Sequence, residues 1–149
     1  MLGERCQVEV KLDEKGRIAL PARLRKRLKD EGIEKLVLSY YDGGVRAFLP
    51  ADFESLVEAP IRKMDLFDPV AQELHHTVLA GAEDCSVDGQ GRLRIPQHLR
   101  DDAALSRACV LHSILDWFEI WDRDQWRERR NVSRRERDLR RTQRLAGPT

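Results

Sequence analysis

Residues 12–21 of this chain have the sequence LDEKGRIALP, and residues 87–96 have the sequence VDGQGRLRIP. An aspartate, a glycine, an arginine and a proline stand at the same places in both stretches, 75 residues apart. The match continues through Leu24-Arg25 and Leu99-Arg100. Self-similarity at a fixed offset is the sequence signature of a repeated structural unit. The chain is therefore predicted to contain one module twice.

Each copy has the pattern of a short alternating strand, a tight turn, a second strand and a proline that ends it. The turn contains Gly16 in the first copy and Gly91 in the second, where a positive φ is expected. A short helix and a β pair follow in each copy. The strands are predicted at Val8–Leu12, Arg17–Leu20, Lys35–Tyr41 and Val45–Leu49, and again at Cys85–Val87, Arg92–Ile95, Ala108–Ile114 and Trp117–Trp121.

Helices are predicted where apolar residues recur at helical spacing. The first helix carries Leu24 and Leu28 on one face and is expected to end near Gly32. Each module is expected to close with a helix, which begins at Pro50 in the first copy and at Asp122 in the second.

A helical linker is predicted between the copies, because Asp68-Pro69 has the pattern of a helix cap and first turn. Its apolar stripe is expected to consist of Val70, Leu74 and Val78. Modules of about 60 residues bury little apolar surface alone, so the copies are expected to pair as a pseudo-two-fold unit. The predicted divisions are a first module at 1–58, the linker at 59–81, a second module at 82–126 and an arginine-rich C-terminal helix or tail at 127–149.

The 149 residues are 41% hydrophobic and 36% charged, which is apolar enough for a folded core and unusually rich in charge. Residues 1–30 have a net charge of +4, residues 31–126 of −9 and residues 127–149 of +6. No segment approaches the ~20 apolar residues of a membrane span, and the N-terminus lacks a secretory pattern. Three cysteines without Cys-x-x-Cys spacing favour free thiols in a reducing compartment. We therefore expect a cytoplasmic protein.

Two Asp-x-x-x-Arg motifs, each in a strand–turn–strand–proline context, resemble the AbrB-type swapped-hairpin DNA-binding domain. Two such domains in one chain of this length resemble the MraZ family, over about residues 1–126. The resemblance also includes Gly3-Glu4, Asp13-Glu14-Lys15-Gly16-Arg17, Pro21-Ala22-Arg23-Leu24-Arg25, Gly91-Arg92, Ile95-Pro96, Glu119-Ile120-Trp121 and Trp126. It implies an α+β, mainly β fold of two AbrB-like swapped-hairpin (double-split β-barrel) modules, with short helices and a C-terminal helix.

The same resemblance implies a sequence-specific, DNA-binding transcriptional regulator of the division and cell-wall gene cluster. Members of this family bind direct repeats in promoter DNA as homo-oligomeric rings and use no cofactor. The arginine of the motif is the residue most closely tied to DNA, which is Arg17 here, with Arg92 as its counterpart. The expected partners are therefore double-stranded DNA and further copies of the chain, and the expected location is the nucleoid.

The residues themselves allow two roles for each motif arginine. Its guanidinium could contact DNA phosphates or a guanine edge, or it could form a salt bridge to the aspartate four residues earlier. Both roles hold if the aspartate orients the arginine. The candidate DNA-binding residues are Lys11, Asp13, Lys15, Arg17, Arg23, Arg25, Asp88, Arg92 and Arg94.

The second copy differs from the first in charge. It has Gln90 in place of Lys15, and Asp101-Asp102 in place of Lys26-Arg27. We therefore expect the first copy to contact DNA, and the second mainly to complete the fold and the ring. The nine arginines that follow Trp126 could form a second DNA-binding arm, but an exposed or oligomer-stabilising tail is favoured because the helix has little apolar surface.

Catalysis and metal binding find no support in the sequence. It contains no phosphate-binding loop, nucleophile elbow or metal-ligand helix, and its four histidines lack ligand spacing. Neither an enzyme nor a small-molecule substrate is expected. The rival hypothesis is an AbrB-like antitoxin or a ring-forming scaffold, in which the acidic middle and the arginine tail bind protein partners.

Overall fold

The structure, a computed structural model, describes residues 5–147. The Gly3-Glu4 pair of the family resemblance lies outside these residues, as do the outer ends of the first module and of the tail. The described residues form eight strands: β1 (Gln7–Lys11), β2 (Arg17–Ala19), β3 (Lys35–Tyr41), β4 (Gly44–Phe48), β5 (Glu83–Ser86), β6 (Arg92–Arg94), β7 (Ala108–Ile114) and β8 (Trp117–Asp122). All eight predicted strands are confirmed, with ends that differ by one or two residues.

Six of the strands form one antiparallel sheet in the order β1-β7-β8-β4-β3-β5. The repeats exchange their first strands in this sheet, because β1 pairs with β7 of the second copy and β5 pairs with β3 of the first. The equivalent strands β4 and β8 pair at its centre. This exchange relates the repeats by a pseudo-two-fold axis, which confirms the swapped-hairpin fold class.

The remaining strands, β2 and β6, are also equivalent and form a separate two-stranded antiparallel ribbon. Ile18 lies opposite Leu93 at the centre of this ribbon, and both side chains are fully buried. They pack into one apolar core with the inward side chains of the large sheet. We call this side of the sheet the inner face. Its core is shared by both repeats.

Six α-helical segments complete the fold: α1 (Ala22–Asp30), α2 (Pro50–Phe53), α3 (Ala59–Arg62), α4 (Pro69–Leu74), α5 (Gln97–Asp102) and α6 (Arg123–Ala146). Two π-helical segments continue α2 and α4, at Glu54–Glu58 and His75–Leu79. Helix α1 buries Leu24 and Leu28, as predicted. It ends in a Schellman-type cap, in which the N–H of Ile33 donates to Leu28 at 2.8 Å and Gly32 has a φ of +67°.

The caps of the later helices are confirmed, whereas one apolar stripe is wrong. Asp68 accepts the N–H of Val70, and Asp122 accepts the N–H of Gln125. However, the Val70 side chain is 56% exposed, and Ala71 is buried in its place. The small Ala71 lets the start of α4 approach the rest of the fold closely, and the larger valine is left in solvent.

The opposite side of the sheet, which we call the outer face, is covered by α2–α4 at one end and by α6 at the other. Ser39 on β3 donates to the carbonyl of Val78 at 2.7 Å, and this bond ties the α4 region to the sheet. Helix α6 is held by Arg129, which donates two hydrogen bonds to the carboxylate of Asp42 at 2.8 and 3.1 Å. The helical layers occupy equivalent places in the two repeats, because α2 follows β4 as α6 follows β8.

Glu119 lies at the centre of the outer face and is only 5% exposed. Its carboxylate accepts the indole N–H of Trp121 at 2.8 Å and of Trp117 at 3.0 Å. The Nε of Arg46 lies 3.3 Å from the same carboxylate, and the Nε2 of His112 lies 3.5 Å from it. Burial raises the pKa of Glu119, but the neighbouring His112, the bonds from Trp117 and Trp121 and the charge of Arg46 outweigh it and lower the pKa to about 2.

This network predicts an acid-sensitive fold. Stability from Glu119 is complete above its ordinary pKa of 4.5 and is lost as the pH falls towards 2. Protonation of Glu119 over that interval lowers the free energy of unfolding by about 3 kcal/mol. Urea unfolding at a series of pH values should therefore show a shallower acid slope for Glu119→Gln than for the wild type. The exposed Glu73→Gln serves as control, and an equal slope in both variants would contradict the assignment.

Candidate nucleic-acid interface

The turn between β1 and β2 is built around the carboxylate of Asp13. Its Oδ1 accepts the backbone N–H groups of Lys15 and Arg17, both at 2.9 Å. Its Oδ2 accepts the Nε of Arg17, also at 2.9 Å. The bond from the Arg17 backbone, followed by the bonds from its guanidinium and from Lys15, holds the pKa of Asp13 below its ordinary value despite some desolvation. The salt bridge, one of the two roles that the residues allow for Arg17, is therefore present.

The turn between β5 and β6 has the same geometry. Asp88 accepts the N–H groups of Gln90 and Arg92 at 2.9 Å, and the Nε of Arg92 at 2.8 Å. The pKa of Asp88 is likewise lowered, chiefly by the bond from the Arg92 backbone. The substitution of Gln90 for a lysine leaves this geometry intact, because position 90 contributes only its backbone N–H. The two turns therefore have the same backbone and side-chain hydrogen bonds.

Each turn glycine is required for two reasons. Gly16 and Gly91 have φ values of +78° and +75°, which favour a residue without a Cβ. Each also lies against an arginine of the other repeat. A Cβ on Gly16 would lie 2.7 Å from the Cζ of Arg100, and a Cβ on Gly91 would overlap the Cδ of Arg25. The turns are thus hybrid sites, in which one repeat supplies the Asp–Arg pair and the other supplies a helix arginine.

The exchange also redistributes charge between the turns. The turn of Asp88 faces the basic helix α1, and Arg25, Lys26 and Lys29 line a groove of about 660 Å³ against residues 88–91. The turn of Lys15 faces the shorter helix α5, which carries acidic residues after Arg100. The basic helix of the first copy therefore lies beside the turn of the second copy, an arrangement that sequence order conceals.

The remaining candidate residues are distributed along the ribbon and its surroundings. Arg94 is exposed and pairs with Arg17 across the ribbon. Lys11 is exposed at the end of β1, just before the first turn. Arg23 is exposed on α1 and, among residues 5–147, makes no hydrogen bond to either turn. Arg100, which is not among the residues predicted from the sequence, also lies at a turn, and its Nε donates to the Ile95 carbonyl at 3.0 Å.

Two exchanged repeats, each with an Asp–Arg turn, define a tandem AbrB-like protein. A family model described as "MraZ protein, putative antitoxin-like" matches residues 5–75 and again residues 78–145. A protein from Shewanella amazonensis named "Transcriptional regulator MraZ" is 35% identical over 141 residues, which cover 92% of this chain and 93% of that protein. The chain belongs to the MraZ family.

Other relatives carry the same name. The protein from Shewanella frigidimarina is 30% identical over 141 residues, with 92% of this chain and 93% of that protein covered. The protein from Alkalilimnicola ehrlichii is 35% identical over 121 residues, with 80% of each chain covered. Within residues 5–147, no helix is long and apolar enough to cross a membrane. The same residues hold no group of three or more side chains suited to a metal ion.

The contact between Gly91 and Arg25 predicts a measurable coupling. Gly91→Ala should lower the free energy of unfolding by more than the roughly 1 kcal/mol of a positive φ alone, because its Cβ overlaps Arg25. Gly32→Ala is the matched control, since it has a similar φ but open space around it. In an Arg25→Ala background the two costs should become equal in urea unfolding. A difference that persists there would show that Arg25 is not the obstacle.

Proposed function

We propose that this chain is a transcriptional regulator that binds double-stranded promoter DNA sequence-specifically through both Asp–Arg turns. It acts as a homo-oligomeric ring on direct repeats, is associated with the nucleoid in the cytoplasm and has no enzymatic activity. Its target is the division and cell-wall gene cluster, as the family resemblance implies. Relatives named as transcriptional regulators over nearly their whole length support this proposal.

The proposal rests on which guanidinium nitrogens of Arg17 and Arg92 already have a hydrogen-bond partner. Of the three guanidinium nitrogens of Arg17, the aspartate binds only the Nε, and the same holds for Arg92. Among residues 5–147 no hydrogen-bond partner of their terminal guanidinium nitrogens is found. Two oriented N–H-bearing nitrogens at the end of a fixed side chain suit a phosphate or the O6 and N7 of guanine. The carboxylate thus orients the guanidinium and leaves its recognition edge available.

The spacing of the two turns supports binding by several copies. The turns lie at opposite ends of a three-residue antiparallel ribbon, which is about 10 Å long. Both turns therefore fit within one major groove of about 12 Å width. Repeats one helical turn apart, about 34 Å, lie beyond the reach of one ribbon and need further copies. Joining copies raises the effective concentration at the second repeat without new contacts.

Substitution of each arginine tests the proposal. Arg17→Ala should abolish specific binding to the gene's own upstream region in a mobility-shift assay. We expect Arg92→Ala to weaken it about 5- to 150-fold, because each arginine–guanine pair contributes about 1–3 kcal/mol. The loss of a phosphate contact should also lower the slope of affinity against salt by about one.

The exposed Arg135→Ala on α6 is the matched control and should bind normally. Circular dichroism should show that all variants are folded. Specific binding that survives Arg17→Ala would contradict the site. If Arg17→Ala lost specific DNA binding and Arg92→Ala kept it, DNA contact would be restricted to the first turn.

A second candidate function is that of an antitoxin, which the description of the matching family model favours. An antitoxin must bind a toxin protein, so co-expression with the products of adjacent genes should yield a stable complex. Absence of such a complex, together with specific DNA binding, would leave the regulator as the function.

A further inference from the structure

The outer face contains a groove that the DNA proposal does not use. Tyr41 and Arg46 line its floor and border two adjoining cavities of about 250 and 410 Å³. The smaller cavity is walled by apolar side chains of the α2–α4 layer, among them Leu56, Ile61 and Leu74. The larger is walled by α6. We call the two cavities together the outer groove. It lies on the opposite side of the sheet from the ribbon and its turns.

The α6 wall of the outer groove carries positive charge without local compensation. Arg130, Arg134 and Arg137 follow one another at helical spacing along this wall. The two carboxylates that line the larger cavity are already paired, because Asp42 binds Arg129 and Glu119 lies beside Arg46. Among residues 5–147, the three wall arginines have no acidic partner. The outer groove therefore fits a ligand that combines apolar side chains with carboxylates.

One segment of this chain has that combination. The turn Asp65-Leu66-Phe67-Asp68 exposes 76% of Leu66 and 86% of Phe67, which are unusual values for such large apolar side chains. The turn is fixed, because the N–H of Phe67 donates to Asp65 Oδ1 at 2.9 Å and the N–H of Asp68 donates to the Asp65 carbonyl at 3.0 Å. Each aspartate accepts a backbone N–H through Oδ1, so its other oxygen can meet an arginine.

We propose that the Asp65–Asp68 turn of a second copy occupies the outer groove. Leu66 and Phe67 enter the apolar half, and the two aspartates face Arg130 and Arg134. This inference rests on the proposed ring and names its contact surfaces. Each copy offers one turn and one groove, so the contact is heterologous and can repeat around a closed ring.

Charge complementarity favours another copy of this chain over an unrelated partner. Residues 50–84 contain eight acidic residues and two lysine or arginine residues, whereas α6 contains ten arginines and four acidic residues. Each chain therefore presents both signs on separate segments. Contact between copies neutralises both segments at once, and burial of Leu66 and Phe67 adds an apolar contribution.

Two substitutions on different sides of the contact test the proposal. Phe67→Ser removes the apolar anchor, and Arg134→Glu reverses the charge of the groove wall. In sedimentation velocity, the wild type should have the mass of a multi-subunit assembly. Each variant should self-associate at least tenfold more weakly and approach the mass of one chain. Their thermal unfolding as isolated chains should remain cooperative, because both side chains are exposed.

Matched controls separate this contact from general surface effects. Leu115 is 73% exposed in the β7–β8 turn, and Leu115→Ser should leave the assembly intact. Arg135 is exposed on another side of α6 from Arg134, and Arg135→Glu should also assemble normally.

Mixing the variants gives the most direct test. Phe67→Ser retains an intact groove, and Arg134→Glu retains an intact turn, so an equimolar mixture should form a heterodimer that neither variant forms alone. Assembly of both variants at wild-type strength would overturn the docking but leave the ring. A monomeric wild type would overturn both. Weaker DNA binding by Arg134→Glu at unchanged mass would identify α6 as a DNA-binding arm and overturn the docking.

Discussion

The hydrogen bonds of β1 to β7 and of β5 to β3 are the contacts on which the rest of this molecule depends. Without this exchange, β7 and β3 would each lack a partner on one side. An unpaired strand would expose its backbone N–H and C=O groups along a sheet edge. The exchange brings the β2–β6 ribbon against a core to which both repeats contribute. Neither repeat can therefore keep its motif in place when the other is unfolded.

The same exchange explains why the charge of each repeat is a poor guide to the charge of its turn. Helix α1 follows the first turn in sequence but lies against the second turn in space. The lysine-bearing turn meets a helix with acidic residues, and the turn with Gln90 meets the basic helix. The second repeat has Gln90 in its turn and aspartates in its own helix. The exchange compensates for this loss of positive charge, because it places the basic helix α1 beside the second turn. This compensation supports the proposal that both turns contact DNA.

Local structure was largely predictable, because it depends on residue spacing. Alternation of apolar and polar residues predicted the strands. The positions of proline and glycine predicted the helix ends, and the repeated Asp-x-x-x-Arg motif predicted the turns. The predicted apolar stripe of the linker helix was wrong because helical spacing allows two stripes. One consists of positions 70, 74 and 78, and the other of positions 71, 74 and 78. Only tertiary packing, which buries Ala71 and leaves Val70 exposed, selects between them.

Strand partners and side-chain networks could not be predicted in the same way. Val8 and Val10 alternate on β1 as they would beside any strand, so periodicity does not identify β7 as the partner. The signal for Arg100 was present in the repeated Leu-Arg pair, but its contact with Gly16 arises only from the exchange. The Glu119 network was equally hidden, since an acid within an apolar strand resembles a solvent-facing position until its tryptophan donors are placed.

The sheet separates the surface of the proposed DNA contact from the surface of the proposed contact between copies. The ribbon and its turns lie on the inner side, and the outer groove lies on the other, with the sheet between them. A contact between copies at the outer groove therefore leaves the turns of every copy available. Under the proposed function, one ribbon offers few contacts to one groove of DNA, so affinity for repeated sites would come from the number of copies. The two proposals then assign binding specificity to the ribbon and binding strength to the outer groove, on opposite faces of the same sheet.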